Sequence, residues 1–371
     1  MARRLFLHVG APKTGTTYIQ DRLYNNRGSL EESGVVYPVG ADVDLFKPAL
    51  DLLDRDWGGM RDTVHGEWEK LVRRVNATDA ETIVVSHEIL AGSHPEKVER
   101  AMHELGRRHT ETHVVYTARD IARQVPAEWQ EEVKHRSRMR FRGFLRRVQE
   151  APRRDSDKWF WRVQGLPDVL TRWGRGLPPE RVHLITVPPP GAPKDALWLR
   201  FCEVVGIDPA TAPADSDRKN VGLGTAEATL VRRLNERLEQ RRGSYDMPFG
   251  YYAHIVHRLV AEETLAHREG KTSITLPPDA YDWAEEIAEE WITWAKDAGI
   301  DVTGSLDELR PLRPEADADW HDPDAPPADE MVDAALDALA EVLLEASQRP
   351  APDHPATKVV NVLRRAKEVL S

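Results

Sequence analysis

The sequence predicts an α/β fold, a parallel sheet in three layers with additional helices toward the carboxyl end. Two observations carry this. Four apolar runs at residues 5–9, 82–85, 113–117 and 181–187 are rich enough in bulky or β-branched side chains for buried strands, and stretches of helical spacing separate them. The runs also end in polar residues, and in open α/β sheets ligands bind at the carboxyl ends of the strands.

The first run passes into Gly10-Ala11-Pro12-Lys13-Thr14-Gly15-Thr16-Thr17. Gly10 and Gly15 permit a tight turn, and Thr16-Thr17-Tyr18-Ile19-Gln20 can open a helix whose free N–H groups would face an anion. A Walker A loop places its lysine directly after the second glycine, where this chain has Thr16. The only lysine, Lys13, lies inside the turn, which argues against an ordinary nucleoside-triphosphate hydrolase. The segment Pro12-Lys13-Thr14-Gly15-Thr16-Thr17 closely resembles the 5′-phosphosulfate loop of the sulfotransferases, in their bacterial type. Their donor is 3′-phosphoadenosine 5′-phosphosulfate, PAPS.

Residues 34–38 read as a short extended piece returning to the sheet, and residues 42–75 as helical with loops. The run at 82–85 ends in Ser86-His87-Glu88, which makes His87 and Glu88 candidate bases at the sheet edge. A zinc helix of the H-E-x-x-H type is excluded because Ala91 stands where the second histidine belongs. The bland alternative is a helix cap at Glu88 with His87 bonded locally.

The run at 113–117 ends in Ala118-Arg119-Asp120, and the planar fork of Arg119 suits a phosphate. This segment resembles the sulfotransferase 3′-phosphate motif, in which a serine follows the arginine by eight residues; here that position is Ala127, with Gln124 and Arg123 as substitutes. Lys134, Arg136, Arg138, Arg140, Arg142, Arg146 and Arg147 then crowd one segment, best read as solvated surface and otherwise as a lid over an anion. Trp159, Phe160, Trp161 and Trp173 read as core. The run at 181–187 is the fourth strand, ending more weakly in Thr186.

The loop 216–222, with Arg218 and Lys219, loosely resembles the late basic loop that closes over the donor's 3′-phosphate in sulfotransferases. A helix over 225–238 follows, with Leu230, Val231, Leu234 and Leu238 expected on one buried face, and another over 280–295. Residues 311–329 read as a linker rich in proline and aspartate. Beyond it, residues 332–346 and 359–370 follow helical spacing and can pack on the core or mediate a homodimer. The predicted organisation is an α/β domain over 1–310, the linker, and a helical extension over 330–371.

With 371 residues and 40% hydrophobic content, the chain has ample material for a large core. A single cysteine, Cys202, permits no internal disulfide and suggests a reducing, cytoplasmic setting. The apolar run after Arg3-Arg4 is too short for a signal peptide, and no stretch suffices to span a membrane. A net charge of −11 weighs against nucleic-acid binding through the basic segment.

The resemblance covers roughly residues 4–240 and implies a P-loop-like sulfotransferase fold. It implies transfer of a sulfuryl group from PAPS to an acceptor hydroxyl or amine, with PAP as product and no metal required. Pro12, Lys13, Thr14, Gly15, Thr16 and Thr17 would then hold the 5′-phosphosulfate, Arg119 with Arg218 and Lys219 the 3′-phosphate, and Glu88 or His87 would take the acceptor's proton. The acceptor stays unidentified. A catalytically silent PAP-binding or scaffold protein is the alternative, favoured by Ala127, and a nucleotide kinase or NTPase the next.

Overall fold

The computed structural model describes residues 3–40, 44–106, 111–217, 221–241, 247–315 and 318–348. Arg218, Lys219 and the helical spacing at 359–370 lie outside the described residues. Two compact units emerge. The larger gathers the described residues of Met1–Trp129, Phe141–Asn220 and Thr275–Trp320; the smaller gathers the described residues of Gln130–Arg140, Val221–Ile274 and His321–Ser371.

The larger unit is built on a six-stranded sheet of order β2-β3-β1-β4-β5-β6. The strands are β1 (Arg4–His8), β2 (Val35–Val36), β3 (Thr82–Ser86), β4 (Glu111–Ala118), β5 (Val182–Thr186) and β6 (Asp301–Thr303), and every pairing is parallel. The α/β class is as predicted. Parallel neighbours require crossovers, so helices cover the faces and the strands bury both sides, which is why Leu5, Ile83, Val84, Val114 and Leu184 are fully buried. The four predicted strands are present, and the extended piece near Val35 pairs with β3 as the edge strand.

β1 sits centrally between β3 and β4, with His8 in register with Ser86 on one side and Val115 on the other. β4 continues to Ala118, so the chain leaving β1 runs along it: the Val9 and Ala11 N–H groups donate to the Val115 and Thr117 carbonyls at 3.0 and 3.1 Å. This register carries the loop after β1 to the end of β4.

Aromatic residues fill the core as expected, with Phe160, Trp161 and Trp173 buried, while Trp159 is half-buried under the Arg55 guanidinium. Cys202 is buried in the helix Ala196–Val205, and burial pushes its thiol up to about 12.

The smaller unit is helical, with Thr225–Gln240, a π-helix at Ala253–Thr264, and Ala328–Ser347. One expectation is corrected here. Val231 is buried, but Leu230, Leu234 and Leu238 are only half-buried, and the covered face of Thr225–Gln240 instead carries Ala228, Arg232 and Asn235. Specific hydrogen bonds make this polar face tolerable. Asn235 donates to the Val133 and Ser137 carbonyls at 2.8 and 3.0 Å and accepts from the Tyr252 hydroxyl at 2.7 Å.

Arg138, Arg140, Arg142, Arg146 and Arg147 of the basic segment are exposed, as the solvated-surface reading expects, whereas Lys134 and Arg136 are partly covered. Lys134 pairs with Glu131 and Glu262 at 2.8 and 3.0 Å, and Arg136 lies over the Tyr252 ring. Arg142 and Arg146 are exposed on the helix Phe141–Glu150, whose other face buries Phe141, Phe144, Leu145 and Val148. No helix among the described residues is long and apolar enough to cross a membrane.

Candidate functional site

The loop after β1 is set by its backbone. Gly10, Lys13 and Gly15 have φ of 30°, 65° and 88°, left-handed values that cost little at glycine and strain a residue with a Cβ such as Lys13. Space is equally restrictive: a Cβ on Gly10 would meet the Thr16 Cγ2 at 2.6 Å, and one on Gly15 would run into the Leu197 side chain. Gly15 caps the helix Thr16–Asn25 without a side-chain hydrogen bond, and the first N–H groups of a helix have no partner within it.

The threonines divide their work. Thr14 is buried, and its hydroxyl donates to the Ala11 carbonyl and meets the Thr117 hydroxyl, both at 2.6 Å, fastening the loop to β4. Thr16 is buried in the first helical turn, whereas Thr17 and Lys13 are half-buried. Pro12 acts through its carbonyl, which accepts from the Gln124 and Gln164 amides at 2.6 and 2.9 Å.

Beneath the loop lies a polar network absent from the sequence expectations. His8 Nδ1 is 2.8 Å from the Ser86 hydroxyl and Nε2 is 3.5 Å from that of Thr117, so one imidazole bridges the ends of β3 and β4. Burial lowers the His8 pKa to about 4, against an opposing pull from Glu88, and the ring is neutral near pH 7. Gln20, on the helix after the loop, donates to the Ser86 hydroxyl at 3.3 Å and to Glu88 Oε2 at 3.0 Å.

Glu88 and His87 stand at the end of β3, with different surroundings. His87 caps the short turn Glu88–Gly92: its Nδ1 accepts from the Ile89 N–H at 3.3 Å, and its ring lies 5.6 Å from that of Phe46. The local hydrogen bond considered for His87 therefore exists, and the capping group is His87 rather than Glu88. Burial pushes the Glu88 carboxyl up, but the facing His87, a backbone N–H and the Gln20 amide outweigh it and hold the group below the usual carboxylate range. Glu88 is ionised at neutral pH, an acceptor for one proton.

Arg119 follows β4. Its Nε donates to Gln124 Oε1 and its Nη2 to the Arg123 carbonyl, both at 3.0 Å. Burial, helped by the Arg123 guanidinium and opposed by Asp120, lowers its pKa to about 10, so it keeps its charge. Gln124 thus bridges Arg119 to the Pro12 carbonyl, while Arg123 is taken up by Asp120 and the Pro188 carbonyl. Ala127 is half-buried on the same helix, Ile121–Lys134. Thr186 does not join this group; its hydroxyl lies against Glu308 at 2.5 Å and Arg200 at 3.2 Å.

Lys13, Glu88 and Arg119 are thus carried by adjoining strand ends and tied to one loop through Gln20 and Gln124. Strand-end position is the signal that finds the charged residues. In the sequence Gln124 stands out only as a substitute for the missing serine and Gln164 leaves no trace, whereas a glutamine one turn into a helix after such a loop is a signal that could have found Gln20. The chain matches no family model, no curated protein and no solved structure.

Proposed function

We propose that the chain binds PAPS at the loop 10–17 and transfers its sulfuryl group to an acceptor hydroxyl or amine, on a P-loop-like sulfotransferase fold. The observation that carries this reading is the tying of a glycine-hinged, lysine-bearing loop to Glu88 through Gln20 and to Arg119 through Gln124. A cationic loop, a carboxylate and a guanidinium at one sheet edge suit a donor with two separate anionic groups.

In the transfer, the acceptor atom bonds to sulfur as the bond from sulfur to the 5′-phosphate oxygen breaks. Charge collects on that departing oxygen, where Lys13 and the N–H groups opening the helix Thr16–Asn25 stabilise it. The acceptor's proton passes to Glu88, whose carboxylate is oriented by Gln20. Glu88 is the better base than His87, since His87 Nδ1 is already accepting from the Ile89 N–H. Arg119 holds the 3′-phosphate, without a hydroxyl at Ala127 to help and with Gln124 committed to Pro12. PAP leaves as product.

The silent-binder reading has its own support in the depressed Glu88 pKa, because a base is most effective when its pKa lies near the working pH. Transfer of radiolabelled sulfate from PAPS to a panel of sugar, phenolic, lipid and peptide acceptors separates the two. Transfer by wild type that Glu88→Gln slows by orders of magnitude is expected. Nucleotide binding with no product on any acceptor overturns the transferase reading in favour of silent binding.

A further inference from the structure

We propose that Glu131, His135 and His257 form a site for one divalent first-row transition cation of the zinc or iron type, within the smaller unit. One ligand atom from each residue lies within 4.8 Å of the others, and these residues are the candidate metal group among the described residues. Ligand atoms around a cation at ordinary zinc distances stand about 3.3 Å apart, so a small contraction completes the set.

The orientation of the groups supports the assignment beyond proximity. Glu131 divides its two oxygens: Oε2 takes the Lys134 ammonium at 2.8 Å, while Oε1 faces His135 at 3.5 Å and His257 Nε2 at 3.8 Å. The lysine holds one carboxylate oxygen while the other faces both imidazoles, and His135 Nδ1 also meets the Glu131 backbone carbonyl at 2.9 Å. His257 Nε2 is buried and has no hydrogen-bond partner, and a buried ring nitrogen in that state calls for a missing water or ion.

Behind His257 stands a carboxylate, Glu262 Oε2, 3.8 Å from the opposite ring nitrogen Nδ1, and Lys134 also clamps Glu262 at 3.0 Å. A carboxylate hydrogen-bonded behind a histidine orients metal-binding imidazoles; here Glu262 stands on the right side of the ring but beyond hydrogen-bond distance. Glu131 lies in the last turn of the helix Ile121–Lys134 and His135 directly follows it, its N–H donating to the Glu131 carbonyl at 3.0 Å, which keeps the two side chains on the same side. His257 and Glu262 lie on the π-helix Ala253–Thr264, and π-helical turns recur at functional sites because their extra residue re-aims side chains.

Two imidazoles and one carboxylate suit zinc or iron(II) and leave coordination positions open. The competing account is a purely ionic cluster in which Lys134 supplies all the positive charge.

The test is titration of full-length, chelator-treated protein with Zn²⁺ by calorimetry and with Co²⁺ by visible absorption. One equivalent of Zn²⁺ and a Co²⁺ d–d band are expected. His257→Ala and Glu131→Gln should each weaken binding by at least about tenfold, and Glu262→Gln by less. His94→Ala, at an exposed position elsewhere, should leave it unchanged. Far-UV circular dichroism checks that each variant stays folded, and Glu131→Gln preserves volume and hydrogen bonding if His257→Ala does not fold. Absence of stoichiometric binding, or equal binding by wild type, His257→Ala and Glu131→Gln, overturns the proposal.

Discussion

Both ends of the central sheet carry histidines held in polar networks, and the two are built differently. At the carboxyl ends, His8 joins Ser86 and Thr117 under a loop whose first helical turn has no side-chain cap. At the amino ends, His113 Nδ1 meets His183 Nε2 at 2.8 Å, and His183 Nδ1 meets Asp301 Oδ2 at 2.6 Å, a ladder across β4, β5 and β6. The His113 ring stacks on Phe6 at 4.5 Å, and the ladder ends at the half-exposed Asp301. The chemistry of the side chains is similar at both ends. What separates them is their setting: one network underlies the glycine-hinged loop 10–17, while the other runs to Asp301 and leaves His113 Nε2 buried without a hydrogen-bond partner.

The largest effect should come from Gly15→Val, which sets a branched side chain against Leu197 at a φ of 88°. Affinity for PAP, measured by calorimetry, should fall by at least about 100-fold, as when preorganised donors to an oxyanion are lost. An Asp301→Asn substitution at the other end should leave that affinity unchanged. If both variants bind equally well, the distinction between the two ends fails.

Next in size is Glu88→Gln, which should slow sulfuryl transfer by about 10²- to 10⁴-fold while PAP affinity stays near wild type. Equal losses of binding and rate would make Glu88 a loop support rather than a base.

The two networks should share one property, acid sensitivity. Burial lowers the pKa of both His8 and His113 from 6.5 to about 4, with His183 adding to the effect at His113. The unfolded chain therefore takes up these protons first as pH falls. Stability is fully present above about pH 6.5 and is lost toward pH 4, by on the order of 3 kcal/mol for the fully buried His8 and by less for the partly solvated His113. Urea unfolding across that range should show the slope, and His113→Leu should flatten part of it. A stability that is flat in pH contradicts the buried neutral state of both rings.

The smallest effect is expected from Asp301→Asn on stability, about 1 kcal/mol by urea unfolding, because it weakens a single charge-assisted hydrogen bond at a half-exposed group. A loss several times larger would make the ladder a principal support of the sheet.

Much of this sheet is legible in the sequence because parallel strands buried on both faces need continuous apolar runs, as at Ile83-Val84-Val85 and Leu184-Ile185. β6 is not, since Asp301-Val302-Thr303 is too short to show a pattern between Gly299 and Gly304. The charged site residues are legible from their place after strands. Their connectors are not, because Gln124 and Gln164 reach Pro12 across 112 and 152 residues of sequence and nothing local encodes such a contact. The helix Thr225–Gln240 shows the limit of periodicity. Its leucines suggest one face, but hydrogen bonds to Asn235 support another, and tertiary partners decide.

The central claim is that the loop 10–17 is an anion cradle for a phosphosulfate donor rather than a triphosphate. Calorimetric titration with PAP in the presence of a chelator, for wild type and Lys13→Ala, tests it most directly. Stoichiometric binding without magnesium, weakened at least about 100-fold by the substitution, is the predicted result. No binding by wild type, or equal affinity in Lys13→Ala, contradicts it.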